Sequence, residues 1–135
     1  MTKNESRERL FRDYCASWLT RDVCRFSDFF TDDAVYTESD GARYEGLAEL
    51  RAWFARWLPH GEVLEWRVLR FLHQGDAAAA EWFFRCRYDG EESAFNGVTL
   101  MDFDRCGKIR RLSEFAARLT PEKAENDAGK IVGKS

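Results

Sequence analysis

Residues 77–104 read AAAAEWFFRCRYDGEESAFNGVTLMDFD, and the alternation within them decides the fold. Ala80, Trp82, Phe84 and Cys86 alternate with Glu81, Phe83, Arg85 and Arg87. A period of two marks a strand whose two sides meet different surroundings. Asp89-Gly90 then forms a ready hairpin turn. Beyond it Phe95, Gly97, Thr99, Met101 and Phe103 alternate with Asn96, Val98, Leu100, Asp102 and Asp104. Two antiparallel strands therefore share an apolar face, and something must cover it.

The pattern continues on both sides. Residues 62–73, 77–88, 93–104 and 108–118 read as four strands, divided by Gln74-Gly75-Asp76, Asp89-Gly90 and Arg105-Cys106-Gly107. The cover comes from the first half of the chain. Leu10, Phe11, Tyr14, Trp18 and Leu19 recur at helical spacing and predict a helix over residues 5–19, with Thr2-x-x-Glu5 as its capping box. A second, short helix fits Asp22 to Phe30, with Asp22 as N-cap and Val23, Phe26 and Phe30 on one face. Asp32 and Asp33 turn the chain into a short strand over Ala34 to Glu38. Leu47, Leu50, Phe54, Trp57 and Leu58 make a third helical stripe that Pro59 ends. Helices first and a strand meander afterwards define an α+β domain over residues 1–120. Residues 121–135 lose apolar periodicity and read as a disordered tail.

A chain of 135 residues is one domain, and 33% charged residues keep its surface soluble. A net charge of −3 argues against nucleic acid, which requires clustered Lys and Arg. No apolar run reaches the ~20 residues of a membrane span. The polar start, Met1 to Leu10, is no secretory signal, so a cytoplasmic location is expected. Cys15, Cys24, Cys86 and Cys106 contain no C-x-x-C pair and read as reduced, mostly buried thiols. His60 and His73 lie next to turns and form no metal-ligating pair, so neither a metal nor a cofactor is expected. The unusual feature is aromatic content: 11 Phe, 5 Trp and 4 Tyr. Side chains of that size fill a core or line a ligand cavity, and composition does not separate the two.

The element order resembles the nuclear-transport-factor-2-like cone fold, in its ketosteroid-isomerase and SnoaL-like polyketide-cyclase branch. The resemblance runs from about residue 7 to 118. Its carrying segments are Asp22 with Phe29-Phe30-Thr31-Asp32-Asp33-Ala34-Val35, then Tyr44-Glu45-Gly46-Leu47, Gly75-Asp76-Ala77-Ala78, and Phe103-Asp104-Arg105-Cys106-Gly107-Lys108-Ile109. It implies a cone-shaped barrel of three helices packed on a curved mixed or antiparallel sheet. It also implies sites. Tyr14 falls where the isomerases carry an oxyanion-hole tyrosine, Glu38 where they carry the catalytic carboxylate, and Thr99 where they carry a protonated acid. A threonine donates more weakly than that acid, which argues against true steroid isomerase activity.

In the family register the cone is lined by Tyr14, Trp18, Phe30, Tyr36, Phe54, Trp82, Phe84, Thr99, Met101 and Leu112, with Glu38 and Glu114 as its charged members. Glu38 is then the expected base, Tyr14 and Thr99 the hydrogen-bond donors, and Glu114 a second carboxylate. The blander alternatives place Glu38 at a strand end against Arg43 and leave the aromatics as filler. His73 reads as a solvated turn residue, and Asp102 and Asp104 as outward-facing. The expected partner is a small hydrophobic molecule, acted on by cofactor-independent acid–base chemistry or held by a non-catalytic module. Phe83, Val98 and Leu100 make the outer sheet face greasier than solvation needs and point to a homodimer.

Overall fold

Helix α1 (Lys3–Thr20) begins at its expected capping box. Thr2 Oγ1 accepts the Glu5 N–H at 3.0 Å, and Glu5 accepts the Thr2 N–H at 2.9 Å. A 3-10 turn (Val23–Arg25), α2 (Phe26–Phe29), β1 (Phe30–Thr37), β2 (Arg43–Glu45) and α3 (Gly46–Trp57) follow. The chain then runs through four long strands, β3 (Gly61–Gln74), β4 (Ala77–Tyr88), β5 (Glu91–Phe103) and β6 (Ile109–Ala117). The structure is a computed structural model and describes residues 1–117; the tail expected over 121–135 lies outside the described residues.

The sheet order is β2-β1-β6-β5-β4-β3. Strand β1 lies parallel to β6 and every other pairing is antiparallel, so the sheet is mixed. It is also open, with β2 and β3 as its edges: a curved half-cone closed by helices rather than a complete barrel. The strand parity expected for β4 and β5 holds. Ala80, Trp82, Cys86, Thr99, Met101 and Phe103 are all buried.

Several expectations are corrected. The helix expected over 22–30 is the 3-10 turn plus four-residue α2, although Asp22 does cap it by accepting the Cys24 N–H at 3.1 Å. Phe30 already opens β1 opposite Ile109. Phe26 and Phe30 meet the spacing of a helical face, but so short a helix has little cooperativity of its own and yields to sheet pairing. Asp32 and Asp33 do not precede the strand. They lie inside it, exposed, where the register slips between Phe30 and Val35. Glu38 does not pair with Arg43, which instead holds Glu45 at 3.0 Å. His73 is no solvated turn residue. It ends β3 with a side chain only 16% exposed, 2.7 Å from Glu8 of α1. All four thiols are free, as read, but only Cys15 and Cys86 are buried.

Two arginines pin α1 to the strand half. Arg7, 3% exposed, donates to the Gly75 carbonyl at 3.0 Å and to Asp76 at 2.8 Å, and its guanidinium covers Phe103. Arg21 ends the helix in the left-handed region at φ 64° and donates to the Leu58 and Gly61 carbonyls. Between these ties lies an aromatic core of Phe11, Tyr14, Phe26, Phe29, Phe30 and Phe54, all 2% exposed or less. Each such ring is worth about 1.5–3 kcal/mol of burial.

Candidate functional site

The site is assembled by three periodicities meeting at one place. Tyr14 and Trp18 are four apart on α1 and so share a face one turn apart. Trp53 and Trp57 repeat that spacing on α3. Across the sheet, Trp66 pairs with Phe84 and Phe84 with Phe95, placing one aromatic from each of β3, β4 and β5 in a row. Trp82 lies opposite Gly97. The missing side chain there makes room for the indole, because a Cβ on Gly97 would overlap both the Trp82 ring and the Phe115 carbonyl. The Trp82 Nε1–H then donates to Thr99 Oγ1 at 2.8 Å.

These walls enclose a cavity of about 320 Å³. All five tryptophans line it, joined by Tyr36, Phe84, Tyr88 and Phe95. Its polar lining is Glu38, Ser39, Ser93 and Glu114, and Cys86 and Ala116 complete it. The volume stands at the lower end of the range for small-molecule sites.

The two carboxylates come together through the parallel pairing of β1 and β6. Tyr36 lies opposite Leu112 and Thr37 opposite Ser113, and Glu38, the first residue after β1, and Glu114 of β6 each follow that last paired position. Behind Glu114 runs a hydroxyl relay. Tyr14 donates to the Tyr36 hydroxyl at 3.0 Å, and Tyr36 donates to Glu114 Oε2 at 2.6 Å. Burial first, and the Glu114 charge second, push both tyrosines well above the usual value of 10.0. Each therefore stays protonated and remains a donor. Glu38 accepts a longer hydrogen bond, 3.3 Å, from Tyr44. Partial burial and then the Glu38 charge raise that tyrosine too.

Of the residues expected on the cavity, the structure brings together Glu38, Glu114, Trp18, Tyr36, Trp82 and Phe84. Tyr14, Phe30, Phe54, Thr99, Met101 and Leu112 lie on the same inner faces but behind the wall, at 0–1% exposure. Tyr14 reaches the site through Tyr36, and Thr99 through Trp82. Trp53, Trp57, Trp66, Tyr88 and Phe95 join the lining without being expected there, as do Ser39, Cys86, Ser93 and Ala116. The signal for Trp53 was present in its spacing from Trp57. Among the described residues no His, Cys, Asp and Glu group is placed to hold a metal ion, and no helix is long and apolar enough to cross a membrane.

Comparison with known proteins agrees with this geometry. Residues 11–112 match the family described as the SnoaL-like domain. No curated protein matches the chain. Among solved structures, a candidate isomerase from Bacillus subtilis superposes with a TM-score of 0.76 at 16% identity, covering 97% of this chain and 98% of that one. An LEH-like epoxide hydrolase from M. tuberculosis gives 0.73 at 16% identity, covering 84% of each chain. A candidate polyketide cyclase from Xanthomonas campestris gives 0.71 at 16% identity, covering 91% and 98%. At such identities the likeness is one of fold.

Proposed function

The chain belongs to the SnoaL-like domain family, and from that membership we propose that its cone binds a compact, largely apolar molecule and that Glu114 accepts a proton from it. One observation carries the reading. A carboxylate held at 2.6 Å by a buried tyrosine, itself backed by a second, stands in the wall of an aromatic cavity. The relay fixes the direction of Glu114, so the acceptor is in place before the ligand arrives. The chemistry is cofactor-independent. A C–H bond beside a ligand carbonyl breaks, its proton passes to Glu114, and the electron pair moves onto the carbonyl oxygen. Return of the proton to another carbon completes an isomerisation; attack of the enolate carbon on a second carbonyl of the ligand breaks that C=O π bond, and the alkoxide takes the proton back from Glu114 to complete a cyclisation. Glu38, the neighbouring carboxylate, is the second group for proton handling.

The test uses the cavity's own tryptophans. A panel of small cyclic ketones, terpenoid and aromatic, is screened by quenching of tryptophan emission, and binders are followed by proton–deuterium exchange in D₂O. Glu114→Gln is expected to keep quenching and to slow exchange about 100-fold or more. Equal exchange in the variant removes Glu114 from the chemistry.

A second reading, a binding module without turnover, draws on the same geometry. Thr99 and Tyr14 are engaged behind the wall, so neither offers an oxyanion donor to the cavity. It predicts quenching with no exchange even in the unaltered protein.

A further inference from the structure

We propose that Trp82 is the specificity-determining residue of the cone: its indole closes the deep end of the cavity and limits the ligand there to the bulk of a single ring. The inference deepens the reading that the cone holds a compact ligand and rests on it. It does not require the proton-transfer step.

Register is the first observation. Val68, Trp82, Gly97 and Ala116 form one row across the sheet, and Ala80, Thr99 and Glu114 belong to the next inward-facing row toward the β3–β4 turn. Along β4 the cavity lining contains Trp82 and not Ala80, and along β5 it contains Phe95 and neither Gly97 nor Thr99. Ala80 and Thr99 are small and fully buried. The strand residues alone would leave a recess at this depth, and the indole covers it.

Anchoring is the second. The six-membered ring lies over Gly97, where a Cβ would overlap its Cη2 and Cζ3 atoms. The five-membered ring donates its Nε1–H to Thr99 Oγ1 at 2.8 Å. The indole thus reaches sideways across β5 and is fixed at both of its ends. Three cavity rings brace it: Trp66 at 81°, Phe84 at 66° and Phe95 at 65°. Turning it aside would break the hydrogen bond and drive the ring into these neighbours. A floor held in this way rejects excess bulk by overpacking instead of yielding to it.

Depth is the third. Thr99, which holds the indole, faces Glu114 across the β5–β6 pairing, and Glu114 borders the cavity. The floor therefore lies at the level of that carboxylate. The bulk that Trp82 admits decides which ligand atoms come level with Glu114. The class selected is a monocyclic carbonyl compound, and a bridged or cage-shaped ketone of the same polarity is turned away.

The test titrates cyclohexanone and 2-adamantanone into the full chain by calorimetry. Both are rigid and compact, so neither avoids the floor by extending a tail out of the cavity. The larger ketone buries more apolar surface, which on area alone favours it about tenfold or more. In the unaltered protein it is nevertheless expected to bind no more tightly than cyclohexanone. In Trp82→Leu the ratio of the two Kd values should move toward 2-adamantanone by at least about tenfold. Trp57→Leu removes a ring of the lining beside Tyr88, away from the floor, and should weaken both ketones while moving the ratio by about threefold or less. A ratio unmoved in Trp82→Leu, or moved as far in Trp57→Leu, overturns the proposal and leaves the pocket standing. So does a tenfold preference for 2-adamantanone in the unaltered protein. If Trp82→Leu fails a circular-dichroism check of folding, Trp82→Phe must move the ratio the same way by at least about threefold, and no movement there overturns the proposal as well. Failure of both ketones to bind the unaltered chain overturns the pocket and the proposal together.

Discussion

The hydroxyl of Tyr36 accepts from Tyr14 and donates to Glu114, and this double role makes it the most consequential atom group of the site. Both tyrosines are raised well above 10.0, by burial before the neighbouring charge. The folded state therefore holds them neutral at pH values where the unfolded chain ionises them. Stability from this source is intact below about pH 10 and falls as pH rises beyond it, because the unfolded state then binds fewer protons. In an alkaline titration read at 295 nm, Tyr14 and Tyr36 should ionise only as the far-UV circular dichroism collapses. The late step should shrink by two tyrosines in Tyr14→Phe/Tyr36→Phe. Ionisation of every tyrosine before unfolding would contradict their burial. The sequence named Tyr14 correctly as a polar member of the α1 stripe, but the stripe does not say what its hydroxyl meets. Tyr36 supplies that answer from a strand 22 residues further along. Arg7 illustrates the same limit: nothing local distinguishes a buried arginine from a solvated one until the β3–β4 turn is brought against it.

At the scale of elements, strand parity was legible and depth was not. On β4 and β5 the inner face contains Ala78, Ala80, Thr99, Met101 and Phe103 toward the β3–β4 turn, and all are packed solid. The same face contains Phe84, Cys86, Tyr88, Ser93 and Phe95 toward the β4–β5 turn, and all border the cavity. A period of two assigns a side chain to a face. How far along that face the helices fill the cone is set by tertiary packing, which is why Thr99, Met101 and Leu112 were expected in the lining and lie behind it. Strand β2 was missed for a different reason: three residues are too few for alternation to show. The division between filled and open cone falls at the Trp82–Gly97 pair. Gly97→Ala should force the indole or strand β6 to shift, at about 1–3 kcal/mol for overpacking. The expected signs are a thermal midpoint lowered by at least about 4 °C and altered tryptophan emission. An unchanged midpoint and spectrum would show that the close approach is not part of the solution structure.

For the whole molecule, the outer face of the sheet remains to be accounted for. Cross-strand register sets Leu72, Ala79, Leu100 and Ser113 in one row, with Arg70, Glu81, Val98 and Phe115 in the next. Leu72, Leu100 and Phe115 are 46–58% exposed. Ion pairs stand around them, Arg70 with Glu81 at 2.7 Å and Arg111 with Asp102 at 3.8 Å. An apolar middle bordered by both signs of charge complements itself when rotated by half a turn, which is the requirement of an isologous pair. We therefore propose a second copy of this chain as its partner. Light scattering after size exclusion should give twice the 15.8 kDa chain mass at about 100 µM. Leu100→Arg sets a cation at the centre of the row, where rotation brings it near its own copy, and should return the monomer with the thermal midpoint of the isolated fold. A monomer from the unaltered chain would reject the dimer. A dimer that survives Leu100→Arg would place the interface on another face. Because the cavity is lined by the helices and the inner face of the sheet, dimerisation on the outer face leaves it accessible, and a cyclic ketone that quenches tryptophan emission should give the same Kd with the dimer and with the Leu100→Arg monomer.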